Sequence, residues 1–275
     1  MDNIDRFFYY IRERHNIYQK RQNGAPYPWT KDAILTTYSF CNVFRELDKV
    51  TIWIRKNWRE PYADHPNLPF AMSMARQINW PETLQEIRFP EYWNPNRAKA
   101  IMQGRMDRGE KVYTCAYMLT GTLGGTKVEQ TIDKILTPLY LEPPTIHDYS
   151  LQKTWAEYLP YAGFSGFMAY EVVTDLRHTK HLEYADDIMT WANAGPGAKR
   201  GLNRIHNREL KKTIKPEQLL NEMIELLDIS YLYLGNKNIM LELREIEHCL
   251  CEYDKYERAR LGEGRPRAKY KYTGE

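Results

Sequence analysis

Cysteine is scarce in this chain: Cys41, Cys115, Cys249 and Cys251 are the only four among 275 residues. None forms a CxxC pair, and the spacing is too sparse for a zinc ribbon or a disulfide scaffold, so the thiols are read as reduced. Long apolar runs are also missing. No stretch reaches the roughly 18 residues of a membrane span, and the N-terminal segment lacks the apolar core of a secretory signal, which points to a cytoplasmic protein. Strand-like alternation is rare, and no repeat of fixed period marks a solenoid. A strong charge of one sign is absent too. Lys and Arg number 39 against 36 Asp and Glu, so bulk charge identifies no nucleic-acid binder and only its distribution can.

What is present is aromatic: 21 Tyr, 7 Trp and 8 Phe, in a chain 43% hydrophobic. Core packing accounts for most of them, with stacking on bases as the alternative use. The length suits a single helical domain over 1–275 and accommodates two packed lobes, about 1–145 and 146–275. Leu35, Val43, Leu47, Val50 and Ile54 recur at helical intervals after Thr30, which predicts a long helix with Thr30 as N-cap and Asp32 in its first turn. Leu219, Met223, Leu226 and Leu227 mark a second helix, and Leu243, Ile246, Leu250 and Tyr253 a third after the Gly235–Asn236 break. The fold class is therefore all-α. Residues 262–275, rich in Gly, Pro and cations, read as a basic tail with nothing to pack.

Charge is concentrated in the C-terminal third. Lys199, Arg200, Arg204, Arg208, Lys211, Lys212 and Lys215 face only Glu209 across one stretch. The segment from Tyr184 to Arg204 reads as a helix, a tight Gly195-Pro196-Gly197 turn and a second helix opening on Lys199 and Arg200. That is the pattern of a helix-hairpin-helix: glycines let backbone approach a phosphate, and a helix N-terminus with two cations attracts it. An ordinary helix-helix turn with solvated cations is the competing reading.

Along the helix 244–258, Glu247, Cys251, Asp254 and Arg258 share one face, and His248, Glu252 and Lys255 its neighbour. Glu247 and Asp254 are separated by roughly 10 Å along the axis and would serve different ends of a substrate. An exposed face laced with i,i+4 ion pairs is the commoner fate of such a pattern. His178 and His181 with Asp175 have metal-ligand spacing but no evident third partner, so no metal site is assigned.

Several stretches together carry a resemblance: Trp29-Thr-Lys-Asp-Ala-Ile-Leu35, Phe40-Cys-Asn-Val-Phe-Arg-Glu-Leu-Asp48, Ile78-Asn-Trp-Pro-Glu-Thr-Leu84, Lys111-Val-Tyr-Thr-Cys-Ala-Tyr117, Phe167-Met-Ala-Tyr-Glu171, Ala194 to Arg204, and Ile246 to Arg258. The set resembles the helical domain of phage 5-hydroxymethyluracil DNA kinases and the related alpha-glutamyl/putrescinyl thymine pyrophosphorylase clade, which includes amino acid:DNA transferases. The resemblance implies a DNA-glycosylase-like fold with a helix-hairpin-helix, a flipped base, and a phage protein working in the host cytoplasm. In such a pathway a hydroxymethyl group is converted to a pyrophosphate ester, which an amine then displaces. Gly121-Thr-Leu-Gly-Gly-Thr-Lys127 fails the GxxxxGK[ST] spacing of a P-loop, which favours the displacement step. The expected partners are DNA carrying a modified thymine and a free amino acid; no cofactor is assigned, and a divalent ion such as Mg2+ is compatible. Expected catalytic residues are Glu247, Asp254, Lys255 and His248. Asn42, Arg45, Lys49, Asn79, Trp80 and Tyr256 are expected at the substrate and pyrophosphate, and Gly195, Gly197, Lys199, Arg200, Asn203 and Arg204 at the DNA backbone. A kinase or pyrophosphorylase, a glycosylase and a non-catalytic DNA-binding protein are the alternatives.

Overall fold

The computed structural model describes residues 2–114, 123–235, 239–266 and 268–272. In chain order the α-helices are α1 (Asn3–Gln22), α2 (Ala33–Thr37), α3 (Lys49–Ile54), α4 (Leu68–Ile78), α5 (Pro81–Ile87), α6 (Pro95–Asp107), α7 (Lys127–Glu129), α8 (Thr137–Leu141), α9 (Leu151–Tyr158), α10 (Gly166–Leu176), α11 (Pro196–Ile205), α12 (Pro216–Leu234) and α13 (Leu243–Arg260). Among the described residues the β-type pairing is limited to an isolated bridge between Tyr38 and Lys269. The protein is all-α. Cys115, Gly121, Thr122 and Asn236 lie outside the described residues, as does the end of the Lys111–Tyr117 stretch.

Two compact units emerge, one of residues 1–48 with 188–275 and one of residues 49–187. This differs from a lengthwise split near residue 145, because both ends of the chain return to the same unit. Among the described residues, no helix is long and apolar enough to cross a membrane.

In the first unit, α1 begins at an Asp2 capping box and buries Phe7, Phe8, Tyr10 and Ile11. Phe7 and Tyr10 meet Tyr253 of α13 edge-on or tilted. The single long helix expected after Thr30 is not formed. Asp32, not Thr30, caps α2 by accepting from Ile34 and Leu35 N–H. The chain leaves the helix after Thr37, and regular helix resumes only in a 3-10 turn at Arg45–Leu47 and in α3. The apolar spacing was helical, but β-branched Thr36 and Thr37 and the Tyr38–Asn42 run disfavour continuation. The tail is docked over part of its length: Ser39 N–H donates to the Ala268 carbonyl and Tyr270 N–H to Thr37, and Tyr272 stacks on Tyr27 at 4.5 Å. Its aromatic residues supply the packing that its Gly, Pro and charge content concealed.

At the start of α13 burial pushes the Glu245 carboxyl up to about 7, against the pull of Arg244. Between about pH 4.5 and 7 the folded state then holds a proton the unfolded chain has released, so this group makes stability fall as pH rises. Glu245→Gln is expected to gain on the wild type across that window, by on the order of 1–3 kcal/mol above pH 7, measured by urea unfolding at stepped pH.

The second unit is centred on a buried charge pair. Arg76 of α4 donates through Nε and Nη2 to the two oxygens of Asp175 on α10, each at 2.5 Å. Its Nη2 also reaches Thr51 Oγ1 at 3.2 Å, and Arg59 approaches Asp175 at 3.8 Å. Asp175 is thereby a counterion and not a ligand beside His178 and His181.

Candidate functional site

Helix α13 uses both polar faces read from its sequence, for different tasks. The Glu247–Cys251–Asp254 face meets α11. A Cβ at Gly197 would stand 2.2 Å from Cys251 Sγ, and one at Gly201 would stand 2.4 Å from the Leu250 carbonyl oxygen. These glycines let two helix backbones touch, and Gly197, expected at the DNA backbone, is buried against Cys251. Gly195 N–H donates to Glu247 Oε1 at 3.0 Å, so this carboxylate holds the positive end of α11. Gly201→Ala forces the helices apart and is expected to cost about 2–3 kcal/mol, read as a lowered urea midpoint with unchanged slope.

Asp254, 2% exposed, accepts from Arg200 Nε at 2.7 Å and Arg204 Nε at 2.8 Å. Arg204 also reaches Glu263 at 2.5 Å. Asn203, 1% exposed, donates to the carbonyls of Leu210 and Lys212 and so shapes the loop after α11. Asp254, Arg204 and Asn203, expected at the chemistry and at the DNA backbone, are thus buried and engaged in pairing and packing. The expected helix before Gly195 is also missing: residues 186–190 form turns and 191–195 are irregular.

Cations do remain at the surface beside α11. A groove of about 400 Å³ is lined by Pro196, Lys199, Arg200, Lys211, Lys212 and Ile214, among others. Lys199, Lys211, Lys212 and nearby Lys215 are exposed, whereas Arg208 is spent on Glu222 in a bidentate pair at 2.6 Å. Of the DNA contacts expected from sequence, Lys199 and the half-exposed Arg200 keep surface positions.

The other face of α13 meets residues 40–48. His248 Nε2 lies 3.2 Å from the Asn42 carbonyl oxygen. Asn42 N–H donates to Asp48 Oδ1 at 2.9 Å, its Nδ2 donates to the Leu47 carbonyl at 2.8 Å, and its Oδ1 accepts from Arg14 at 2.8 Å. Glu252 Oε2 accepts from Cys41 N–H at 2.9 Å and from Lys255 Nζ at 3.0 Å. Lys255 also lies over the Phe40 ring, 4.6 Å from its centroid. Burial, reinforced by Arg45, holds the His248 imidazole below its usual range, so it is neutral at pH 7. Burial opposes the Glu252 charge, but Lys255, His248 and the Cys41 N–H outweigh it and keep the carboxyl low. Burial, with Glu252 and Asp48 nearby, pushes the Cys41 thiol up. Asn42, Arg45, His248 and Lys255, expected from sequence, thus share one polar cluster.

The remaining expected residues are placed elsewhere. Tyr256 is buried, and its hydroxyl donates to Asp32 at 2.7 Å, so its ring is core and not a stacking platform. Lys49 opens α3 and is exposed. Asn79 ends α4 in the left-handed region at φ 48°, and Trp80 caps α5 with Lys111 Nζ 4.2 Å from its ring centroid. Asn79 Oδ1 and Trp80 Nε1 are buried without hydrogen-bond partners. Lys49, Asn79 and Trp80 belong to the second unit. Cys41, Asp48 and Glu252 were missed as site residues. Glu252 had a signal, its i,i+3 spacing to Lys255 and i,i+4 spacing to His248. Cys41 and Asp48 had none, since their meeting with α13 is a long-range contact.

The sequence matches the family described as 5-hmdU DNA kinase, helical domain, over residues 2–265. It is 29% identical to a 5-hmdU DNA kinase of Bacillus phage SP10, covering 92% of this chain and 44% of that protein. The chain thus spans less than half the length of this relative. No solved structure matches it significantly. The family match over nearly the whole chain, with the Asn42, Asn79-Trp80 and α13 stretches inside it, makes this protein a member of the 5-hmdU DNA kinase helical-domain family.

Proposed function

We propose that this helical domain works in thymine hypermodification of DNA, substituting the 5-methylene carbon of 5-pyrophosphorylmethyl-uracil. An amino acid amine forms the new C–N bond, the C–O bond to pyrophosphate breaks, and the amine proton leaves to solvent. The observation that carries this reading is the cluster of neutral His248 with Lys255, Arg45 and Asn42 on and beside α13. Arg45 and Lys255 supply positive charge to the departing pyrophosphate, where a low-dielectric setting makes it most effective. Asn42 and His248 hold the 40–48 segment in place. Within the second unit, Asn79 and Trp80 are proposed DNA contacts in their own right, since a base edge offers the donor and acceptor their buried polar atoms lack. The reading extends to a DNA-glycosylase-like fold in which the lysine-lined groove beside α11 faces the phosphates, and a divalent ion such as Mg2+ would assist pyrophosphate departure.

The lysine groove supports the DNA half. Each phosphate contact contributes about 0.9 to the slope of log K against log salt. Changing Lys199, Lys211, Lys212 and Lys215 to Ala is expected to flatten that slope by about 3 to 4 in a fluorescence-anisotropy titration; an unchanged slope would reduce these cations to solvated surface. For the chemistry, inorganic pyrophosphate release from 5-pyrophosphorylmethyl-uracil DNA should require an added amino acid. Release without it would indicate hydrolysis.

One observation favours a second reading: the family and the phage relative both carry the name of a 5-hmdU DNA kinase. A kinase would move the labelled γ-phosphate of ATP onto 5-hydroxymethyluracil DNA. The displacement reading predicts no such transfer by this chain.

A further inference from the structure

We infer that Cys41, Asp48 and His248 form a binding site for a zinc-class divalent ion in the first compact unit. One ligand atom from each lies within 4.8 Å of the other two. Thiolate and imidazole select zinc or cobalt over magnesium or calcium, and a carboxylate completes a common three-ligand set.

The orientation of the imidazole points to the same use. His248 Nε2 lies 3.2 Å from the Asn42 carbonyl oxygen, which holds the ring against the loop that carries Cys41 and Asp48. Asn42 also orients Asp48, through N–H and Nδ2 both directed at Oδ1, at 2.9 and 3.2 Å. One residue therefore aligns two of the three ligands.

Tetrahedral coordination at ordinary Zn–S and Zn–N lengths places donor atoms roughly 3.5 Å apart, so donors that lie within 4.8 Å of one another draw in by at most about 1.3 Å. Cys41 and Asp48 lie on the same half-buried loop, which permits that adjustment. Charge acts in both directions: Arg45 and Lys255 oppose a cation, while Glu252 beside them favours it. The ion displaces the Cys41 thiol proton to solvent as the S–metal bond forms, and the thiolate and Asp48 then balance its two charges. Three protein ligands leave one position for an outside oxygen, and a pyrophosphate oxygen fits it if the proposed reaction holds. Ion binding itself does not depend on that reaction.

The test uses the full chain, reduced, with metal alone. Titration with Co2+ is expected to produce a thiolate-to-cobalt absorption band that saturates at one equivalent and is displaced by Zn2+. Cys41→Ser should abolish the band and weaken Zn2+ at least about 100-fold, beyond the loss typical of a supporting residue, whereas Cys251→Ser should keep it. Asp48→Asn, nearly isosteric, gives a second reading if the Cys41 variant does not fold, and should weaken Zn2+ by on the order of 10-fold or more. No band in the wild type, a band that survives Cys41→Ser, or wild-type Zn2+ affinity in Asp48→Asn would overturn the assignment.

Discussion

Asp254→Ala is expected to destabilise the protein by about 3–5 kcal/mol. The carboxylate accepts from two guanidiniums at 2.7 and 2.8 Å and is 2% exposed. Removing it leaves Arg204, whose side chain is 7% exposed, beside Arg200 with no shared counterion. Truncating one partner of a buried pair costs more than the pair contributes, because the remaining charge is stranded in low dielectric. Arg200 is 40% exposed at its side chain and can turn to water, and Arg204 keeps Glu263, which places the expected loss toward the lower end. Asp254→Asn should also lose stability, since an amide keeps the shape but not the charge. A general base would behave differently: its Asn variant would unfold at the wild-type urea concentration and merely lose activity. Urea unfolding of the two variants separates these roles.

The second large effect is expected at Asp175 in the other unit. Asp175→Ala strands Arg76, 1% exposed and the largest of the fully buried side chains, and should cost about 3–5 kcal/mol. Replacing both partners by apolar residues of similar volume, Arg76→Met with Asp175→Leu, should restore much of that loss, because the desolvation cost of both charges disappears together. Thr51, whose hydroxyl accepts from Arg76, and Arg59 will retain part of the deficit. A double-mutant cycle in urea measures the recovery, and a double variant no better than the worse single one would show that these groups do not act as a pair.

Much of the architecture was legible in the sequence. The helical class, α12 and α13 and the second helix after Gly195 follow from apolar periodicity and from Gly and Pro breaks, which are local signals. The two faces of α13 were also legible, since residues three and four apart must align. Which face would pack and which would meet the 40–48 loop was not. That choice depends on Gly197 and Gly201, whose value lies in a neighbour's backbone that no spacing reveals. The same limit explains the exchange of roles at Asp254, which looked like a proton acceptor and is held by Arg200 and Arg204 from another helix. It also explains the tail, where Tyr270 and Tyr272 dock against residues 27–39. The helix expected from Thr30 to Ile54 failed for the opposite reason: Leu35, Val43 and Ile54 are buried while Leu47 and Val50 are only half-buried, and such burial can be met by an extended segment as well.

The most direct test of the proposed chemistry is nucleoside mass spectrometry on 5-pyrophosphorylmethyl-uracil DNA incubated with the protein and a pool of amino acids, alongside Lys255→Met. An amino acid adduct on the base with the wild type, reduced at least about 100-fold in Lys255→Met as for loss of a transition-state charge contact, is the predicted result. A base of unchanged mass, on DNA that the protein nevertheless binds, would contradict the displacement reaction.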